Sequence, residues 1–98
     1  MDDTFPSSTL DDARQHVVAA GELDLASAPE LTAALQAVTA GTDTLVIDVA
    51  ALTFCDSSGL RALIAATGDR TVVLKSPPPQ LLRLLELTNT SDLFEIAP

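Results

Sequence analysis

The stretch between residues 45 and 64 constrains the fold more than any other part of this sequence. Residues 45–54 form a nearly continuous apolar run, which is typical of a strand buried on both faces. Leu60, Leu63 and Ile64 then recur at helical spacing, so the polar residues between the two segments lie in a strand-to-helix turn. That turn sits at a helix N-terminus, where backbone N–H groups lack intrahelical acceptors and negative charge is favoured.

The other apolar patterns predict strands and helices in alternation, which indicates an α/β fold. Because a helix connects two of the predicted strands, 44–50 and 70–75, we expect these strands to be parallel neighbours with a right-handed connection. The predicted elements, in chain order, are a strand at 14–21, a helix at 28–39, a strand at 44–50, a helix at 58–66, a strand at 70–75, a helix at 80–87 that begins as early as 78 or 79, and a short edge strand at 93–96.

The start of the first predicted helix has its own signals. Ser27 and Glu30 have the spacing of a capping box, and Pro29 falls in the first turn, where its missing N–H costs nothing. Leu31 and Leu35 mark the buried face, and Gly41 predicts the C-terminal stop. Residues 21–29 are therefore predicted to be a loop that leads into this helix.

Length and charge limit the classes of function. The 98 residues predict a single domain, 1–98, with loose order over 1–9 and a turn at Asp11 and Asp12. Fourteen acidic residues against five basic ones give a formal charge of -9, which disfavours binding to nucleic acid or to an anionic membrane. A single cysteine and an acidic N-terminus without an apolar core predict a cytoplasmic protein.

The motifs of common enzymes are missing from this sequence. Its one histidine, His16, lies on a predicted strand far from Ser57, and the sequence around Ser57 is not the G-x-S-x-G of serine hydrolases. The four glycines are scattered singly, so no phosphate-binding glycine loop is present. His16 has no second histidine or cysteine beside it to complete a metal site. We therefore expect a protein that is not an enzyme and that holds neither metal nor cofactor.

Two uses of the polar turn remain open on physical grounds. Asp56, Ser57 and Ser58 are good helix caps, each worth about 1 kcal/mol relative to Ala. The same hydroxyls lie where an attached phosphate would be stabilised. Gly59 weakens a first helical turn by about 0.5–1 kcal/mol relative to Ala, so we expect another backbone or a bulky ligand to approach it closely.

Two motifs give the chain a specific resemblance. Gly21-Glu-Leu-Asp-Leu-Ala-Ser-Ala-Pro29 resembles the entry to the first helix of STAS domains, G-E-[IL]-D-x-x-[ST]-A-P. Asp48-Val-Ala-Ala-Leu-Thr-Phe-Cys-Asp-Ser-Ser-Gly-Leu60 resembles their D-[ILV]-x-x-[ILV]-x-[FY]-[ILM]-D-S-[ST]-G-L. The similarity covers about residues 14–96 and is greatest to the bacterial anti-sigma factor antagonists. It implies a STAS fold, with a small mixed β-sheet of four to five strands packed with three to four helices.

The resemblance also implies a function, in which the antagonist is switched by phosphorylation. An anti-sigma factor that is an ATP-using serine kinase phosphorylates the serine after the aspartate, here Ser57. The unphosphorylated antagonist binds this kinase and frees its sigma factor, and a PP2C-type phosphatase restores that form. The antagonist itself binds no ATP and is expected to be a monomer when free. The residues expected to bind the partner are Asp24, which the resemblance places near Ser57, and Asp56, Ser58, Gly59, Leu60 and Arg61.

Two residues depart from the family pattern, and alternatives remain open both for the role of Asp24 and for the function of the chain. Cys55 replaces a bulkier apolar residue and is expected to lie in the core. Arg61 stands where many relatives have glycine, which points to a different choice of partner. Asp24 has an alternative role as a carboxylate that caps its own loop. The alternative function is a STAS scaffold without phosphorylation, such as an accessory subunit of a transporter or of a signalling assembly.

Overall fold

A computed structural model describes residues 8–11, 14–37, 43–68 and 70–98 of the chain. Its strands alternate with three α-helices, as the α/β prediction requires. The elements are β1 (Ser8–Asp11), β2 (Arg14–Val18), β3 (Gly21–Leu23), α1 (Ala28–Gln36), β4 (Thr44–Asp48), β5 (Leu52–Cys55), α2 (Ser57–Ala65), β6 (Thr71–Lys75), α3 (Pro79–Leu87) and β7 (Glu95–Ala97), with a 3₁₀ turn at Ser91–Leu93 before β7.

The main sheet is mixed and has five strands in the order β1-β2-β4-β6-β7. β1 is antiparallel to β2, and every other pair in this sheet is parallel. Strands β4 and β6 are adjacent and parallel, which confirms the pairing expected from the helix between them. Ile47 of β4 lies opposite Val17 of β2 and Leu74 of β6, so the middle of the sheet is apolar across three strands.

The hydrophobic core lies on one face of the main sheet. Leu45 and Ile47 of β4 belong to the same buried cluster as the inward side chains of all three helices. Val46 and Val73 point to the opposite face because side chains alternate along a strand, and they are buried outside that cluster. The inward residues of the helices are Ala28, Leu31 and Leu35 of α1, Leu60, Ala62 and Leu63 of α2, and Leu81 and Leu85 of α3.

A second sheet of two parallel strands, β3 and β5, was not predicted from the sequence. The segment 21–29 was expected to be a loop, and residues 52–54 to be the exit of the preceding strand. Each strand here has only three or four residues, which is too short for a period-two pattern to stand out. Their pairing joins parts of the chain that are about thirty residues apart, and it sets the geometry of the turn into α2.

The helix boundaries agree with the sequence patterns to within a few residues. α1 begins at Ala28 as predicted, while Gly41, its predicted stop, lies outside the described residues. α2 begins at Ser57, one residue earlier than expected, and α3 begins at Pro79. None of the helices in the described part of the chain is long and apolar enough to cross a membrane.

The two ends of the main sheet differ from the sequence predictions. Strand β1 includes Ser8 and Thr9, part of the segment expected to be loosely ordered, while residues 1–7 lie outside the described part of the chain. A turn was expected at Asp11 and Asp12. Asp11 is instead the last residue of β1, and Asp12 lies outside the described residues. At the other end, β7 covers Glu95–Ala97, and the 3₁₀ turn takes the first part of the strand expected at 93–96.

Candidate functional site at the start of helix α2

The N-terminus of α2 is capped by Asp56. Its backbone is extended, and its carboxylate Oδ1 accepts hydrogen bonds from the backbone N–H groups of Ser58 (2.9 Å) and Gly59 (3.0 Å). These two bonds satisfy donors that the helix itself leaves without acceptors. Of the three polar residues in the turn, the aspartate is therefore the one that caps the helix, and the hydroxyl of Ser57 is not used for that purpose.

The predicted site residues differ widely in exposure. Ser57 and Arg61 are exposed, and Asp56 and Ser58 are half-buried. Gly59 is buried and Leu60 is only 4% exposed, so the side chain of Leu60 faces the core. The turn therefore presents hydroxyl, carboxylate and guanidinium groups to solvent.

Gly59 lies in close contact with β3. A Cβ atom added at Gly59 would lie 2.5 Å from Cγ of Leu23 and 2.6 Å from its carbonyl oxygen. The same carbonyl accepts a hydrogen bond from the backbone N–H of Asp56 at 3.1 Å. Of the two neighbours expected at this glycine, a backbone or a bulky ligand, the structure has the backbone and side chain of Leu23.

The side chain of Gln80 holds the last residue of β5 in place. Its Oε1 accepts from the backbone N–H of Cys55 at 3.0 Å, and its Nε2 donates to the carbonyl of Cys55 at 2.8 Å. The amide thus acts as a substitute for a further strand beside β5. Sequence reasoning missed this contact because the two residues are 25 positions apart and no local pattern links them.

Cys55 lies in the core, as expected for a cysteine that replaces an apolar residue. It is 1% exposed, and burial, with a smaller contribution from the negative charge of Asp56, raises the pKa of its thiol from 9.0 to about 11. The thiol is therefore neutral and unreactive at physiological pH.

Asp24 caps its own loop, which was the alternative role considered for it. Its Oδ1 accepts from the backbone N–H groups of Ala26 (3.0 Å) and Ser27 (3.1 Å) and lies 3.2 Å from the hydroxyl of Ser27. The capping box expected from Ser27 and Glu30 does not form. The Ser27 hydroxyl turns away from α1, donating to the carbonyl of Glu22 at 2.6 Å and accepting from the backbone N–H of Asp24 at 3.0 Å.

A groove of about 450 Å³ lies between α1 and α2, beside the polar turn. Leu25, in the loop capped by Asp24, is 75% exposed and lines this groove. Helix α2 lines the groove with residues 58, 61, 62 and 65, which have the spacing of one helix face. We call this feature the α1–α2 groove. Its lining includes Leu25, Ala33, Gln36, Ser58, Arg61 and Ala65.

Comparisons with known proteins agree on the family of this chain. A family model described as "Mlab, STAS domain" matches residues 7–95. No curated protein is similar enough to the chain to count as a match. A crystal structure of an anti-sigma factor antagonist from Mycobacterium paratuberculosis is 30% identical, with a TM-score of 0.84 over 95% of this chain and 84% of that one.

Two more distant structures show the fold alone. The Bacillus cell fate determinant SpoIIAA in its phosphorylated form is 18% identical, with a TM-score of 0.71 over 95% of this chain and 91% of that one. A sulfate transporter family protein from Wolinella succinogenes is 11% identical, with a TM-score of 0.76 over 91% of this chain and 80% of that one.

Proposed function

The chain belongs to the STAS-domain family of anti-sigma factor antagonists, and on this premise we propose that it acts as a phosphorylation-controlled antagonist. Its unphosphorylated form binds an anti-sigma factor that is a serine kinase, and this binding releases a sigma factor. The kinase transfers the γ-phosphoryl group of ATP to the hydroxyl oxygen of Ser57, with loss of ADP and a proton. A PP2C-type phosphatase hydrolyses the phosphate and restores the binding form.

The observation that carries the proposal is the exposed hydroxyl of Ser57 at the first position of α2. A kinase has to bring its bound ATP into line with this oxygen, which a buried or capping hydroxyl would not permit. Because Asp56 already caps the helix, phosphorylation of Ser57 would not remove a cap. The modification is therefore compatible with an unchanged fold.

The charge of the phosphate explains why phosphorylation would end binding. A phosphoserine adds about -1.5 to -2 charges at neutral pH, and the dipole of α2 stabilises this charge within the chain. The partner gains no such stabilisation, and its own carboxylates would face the phosphate together with the half-buried Asp56. Repulsion and a blocked approach then release the partner without any refolding.

The predicted partner-binding residues divide into two groups in this proposal. Ser58 and Arg61, with the carboxylate of Asp56, are accessible enough to contact the partner. Asp24, Gly59 and Leu60 act indirectly, because Asp24 shapes its loop and the other two seat α2 against the core. The proposed role requires no catalytic group or cofactor of this chain, and the free protein is a monomer in the cytoplasm.

The site of phosphorylation is tested with purified components. The chain is incubated with its anti-sigma factor kinase and ATP, and mass spectrometry locates the phosphate in wild type, Ser57→Ala and Ser58→Ala. We expect phosphate on Ser57 in wild type and in Ser58→Ala, and none in Ser57→Ala. Phosphate on Ser58 or elsewhere would contradict the assignment.

The electrostatic part of the proposal is tested by calorimetry. Ser57→Asp is expected to weaken binding of the kinase by about tenfold or more, whereas Ser57→Ala retains it, because charge and not the hydroxyl decides binding. Equal affinities of the two variants would contradict the switch. Such a result would favour the alternative of a STAS scaffold in a transporter or signalling assembly.

A further inference from the structure

The α1–α2 groove extends beyond the polar turn towards Arg70. A second, narrower cavity of about 150 Å³ lies at its far end. The two spaces share lining residues on both helices, including Thr32 and Gln36 of α1 and Ala65 of α2. The combined groove thus runs the length of α2, which is about 14 Å for its nine residues at 1.5 Å per residue.

The charge of this groove is opposite to that of the whole protein. The chain carries fourteen acidic and five basic residues, yet two arginines and no carboxylate line the described part of the groove. Arg61 is near the phosphorylation site and Arg70 is at the far end. The rest of the lining is mostly apolar and includes exposed alanines on both helices, Ala33 and Ala65. A partner of complementary chemistry is therefore apolar along its length and acidic near its ends.

Arg70 is the group in this groove with unused binding capacity. Its Nη1 atom is buried and has no hydrogen-bond partner within the described residues. A buried N–H group without an acceptor is unfavourable, and the guanidinium group of arginine matches a carboxylate with two parallel hydrogen bonds. Arg70 lines the narrow cavity, and the cavity volume of about 150 Å³ is large enough for a carboxylate group.

We propose that the α1–α2 groove, extended to Arg70, holds an acidic amphipathic helix of the anti-sigma factor. The apolar face of that helix lies on the alanines of α1 and α2, whose small side chains allow close helix packing. One of its carboxylates pairs with Arg70 and another with Arg61. A protein segment suits this groove better than a lipid tail, because the groove is open along one side while ligand pockets enclose most of a small molecule.

This inference rests on the proposed function and adds the chemistry of the partner. The partner then makes two separate contacts, one at the polar turn and one at Arg70, because Arg70 is at the opposite end of α2 from Ser57. The partner helix keeps the antagonist in place, while the polar turn senses phosphorylation. Substitutions at Arg70 should therefore change affinity without changing which serine is phosphorylated.

The test is calorimetry with the purified kinase and four variants whose thermal stability is first shown to match wild type. Arg70→Gln removes the charge, and Ala65→Trp fills the groove with a bulky ring. Arg83→Gln is the matched control, since Arg83 is an exposed arginine of α3 outside the groove. Ser57→Asp reports on the phosphorylation switch. We expect Arg70→Gln and Ala65→Trp each to weaken binding by about tenfold or more, Arg83→Gln to bind as wild type, and Arg70→Gln to show a weaker dependence on salt.

The possible failures are distinguishable. If Arg70→Gln and Ala65→Trp bind the kinase as tightly as wild type while Ser57→Asp does not, the groove inference is wrong and the proposed function stands. If wild type does not bind the kinase, the proposed function fails and the inference fails with it. Saturable NMR shifts at groove residues on titration with dodecanoate, combined with unchanged kinase binding by Ala65→Trp, would assign the groove to a fatty acid and overturn the proposal.

Discussion

The starts of helices α1 and α2 contain similar polar residues but use them differently. At α1, the hydroxyl of Ser27 and the carboxylate of Asp24 are both engaged in hydrogen bonds within the preceding loop. At α2, Asp56 alone caps the helix, and the neighbouring hydroxyl of Ser57 is exposed. The same residue type is structural at one helix start and available for chemistry at the other.

The comparison shows why a cap motif alone does not identify a modification site. Serine followed three residues later by glutamate predicts a capping box at α1, yet no side chain of that box caps the helix. What distinguishes Ser57 is that its neighbour supplies the cap. In the proposed function, the hydroxyl of Ser57 is free to accept a phosphate because the adjacent Asp56 already satisfies free N–H groups of the helix.

The largest effect is expected from the glycine that seats α2 on β3. Gly59→Ala should destabilise the fold by about 3 kcal/mol, because the added Cβ would overlap the side chain and carbonyl of Leu23. Gly68→Ala is the matched control, since a Cβ there meets no atom within 4 Å. Urea denaturation of both variants measures the difference. Equal midpoints would show that the contact with Leu23 relaxes freely and does not fix α2.

We expect the buried thiol of Cys55, which precedes the capping residue Asp56, to make the folded protein less stable at high pH. Burial raises the pKa of Cys55 in the folded state to about 11, above the value of 9.0 for the unconstrained thiol. The contribution of Cys55 to the free energy of unfolding is complete below pH 9 and is lost as the pH rises through 11. In this pH range the thiol ionises readily in the unfolded chain but not in the folded one. The full effect is about 2–3 kcal/mol.

Urea denaturation of wild type and Cys55→Ala at several pH values between 8 and 11.5 tests this prediction, with both profiles compared to their own value at pH 8. The variant should start from a lower stability because of the cavity left in the core, and should then fall less steeply. Parallel profiles for the two proteins would exclude Cys55 as the titrating group.

A direct test of the two helix starts compares their serines. Ser27→Ala should cost about 1–2 kcal/mol, since it leaves the carbonyl of Glu22 and the N–H of Asp24 without their hydrogen bonds. Ser57→Ala should change the free energy of unfolding by less than about 0.5 kcal/mol, because the residue is exposed and does not cap the helix. Chemical denaturation measures both values. A reversed order would remove the distinction on which the proposed phosphorylation site depends.

The smallest effect concerns Arg61, one turn after Ser57. Residues four apart on a helix are neighbours, so a phosphate on Ser57 should pair with the guanidinium group of Arg61. Phosphoserine placed at position 57 during synthesis is expected to stabilise the free protein by about 0.5 kcal/mol more in wild type than in Arg61→Gln. Thermal denaturation of wild type and Arg61→Gln, each with and without phosphoserine at position 57, measures this coupling energy between the phosphate and Arg61. A coupling of zero would leave the helix dipole as the only local stabilisation of the phosphate.

Much of the fold could be predicted because its signals are local. The apolar run of β4 and the helical spacing of α2 predicted these two elements, and because α2 connects β4 to β6 in the chain, the sequence predicted their parallel pairing correctly. The β3–β5 sheet was missed because its strands are too short to carry a pattern. The two hydrogen bonds from the side chain of Gln80 to the backbone of Cys55 were missed because contacts between residues 25 positions apart leave no periodic signal in the sequence.

By itself, the sequence determined the α/β class, the turn at Asp56–Ser57 and the family, because propensity, capping chemistry and motif spacing act over a few neighbouring residues. Only the tertiary structure decided which polar group caps α2, which backbone touches Gly59, and where Arg70 lies relative to Ser57. Those outcomes depend on how α1, α2 and β3 pack together. Packing joins residues that are distant in the chain, and no local pattern records which groups it leaves exposed.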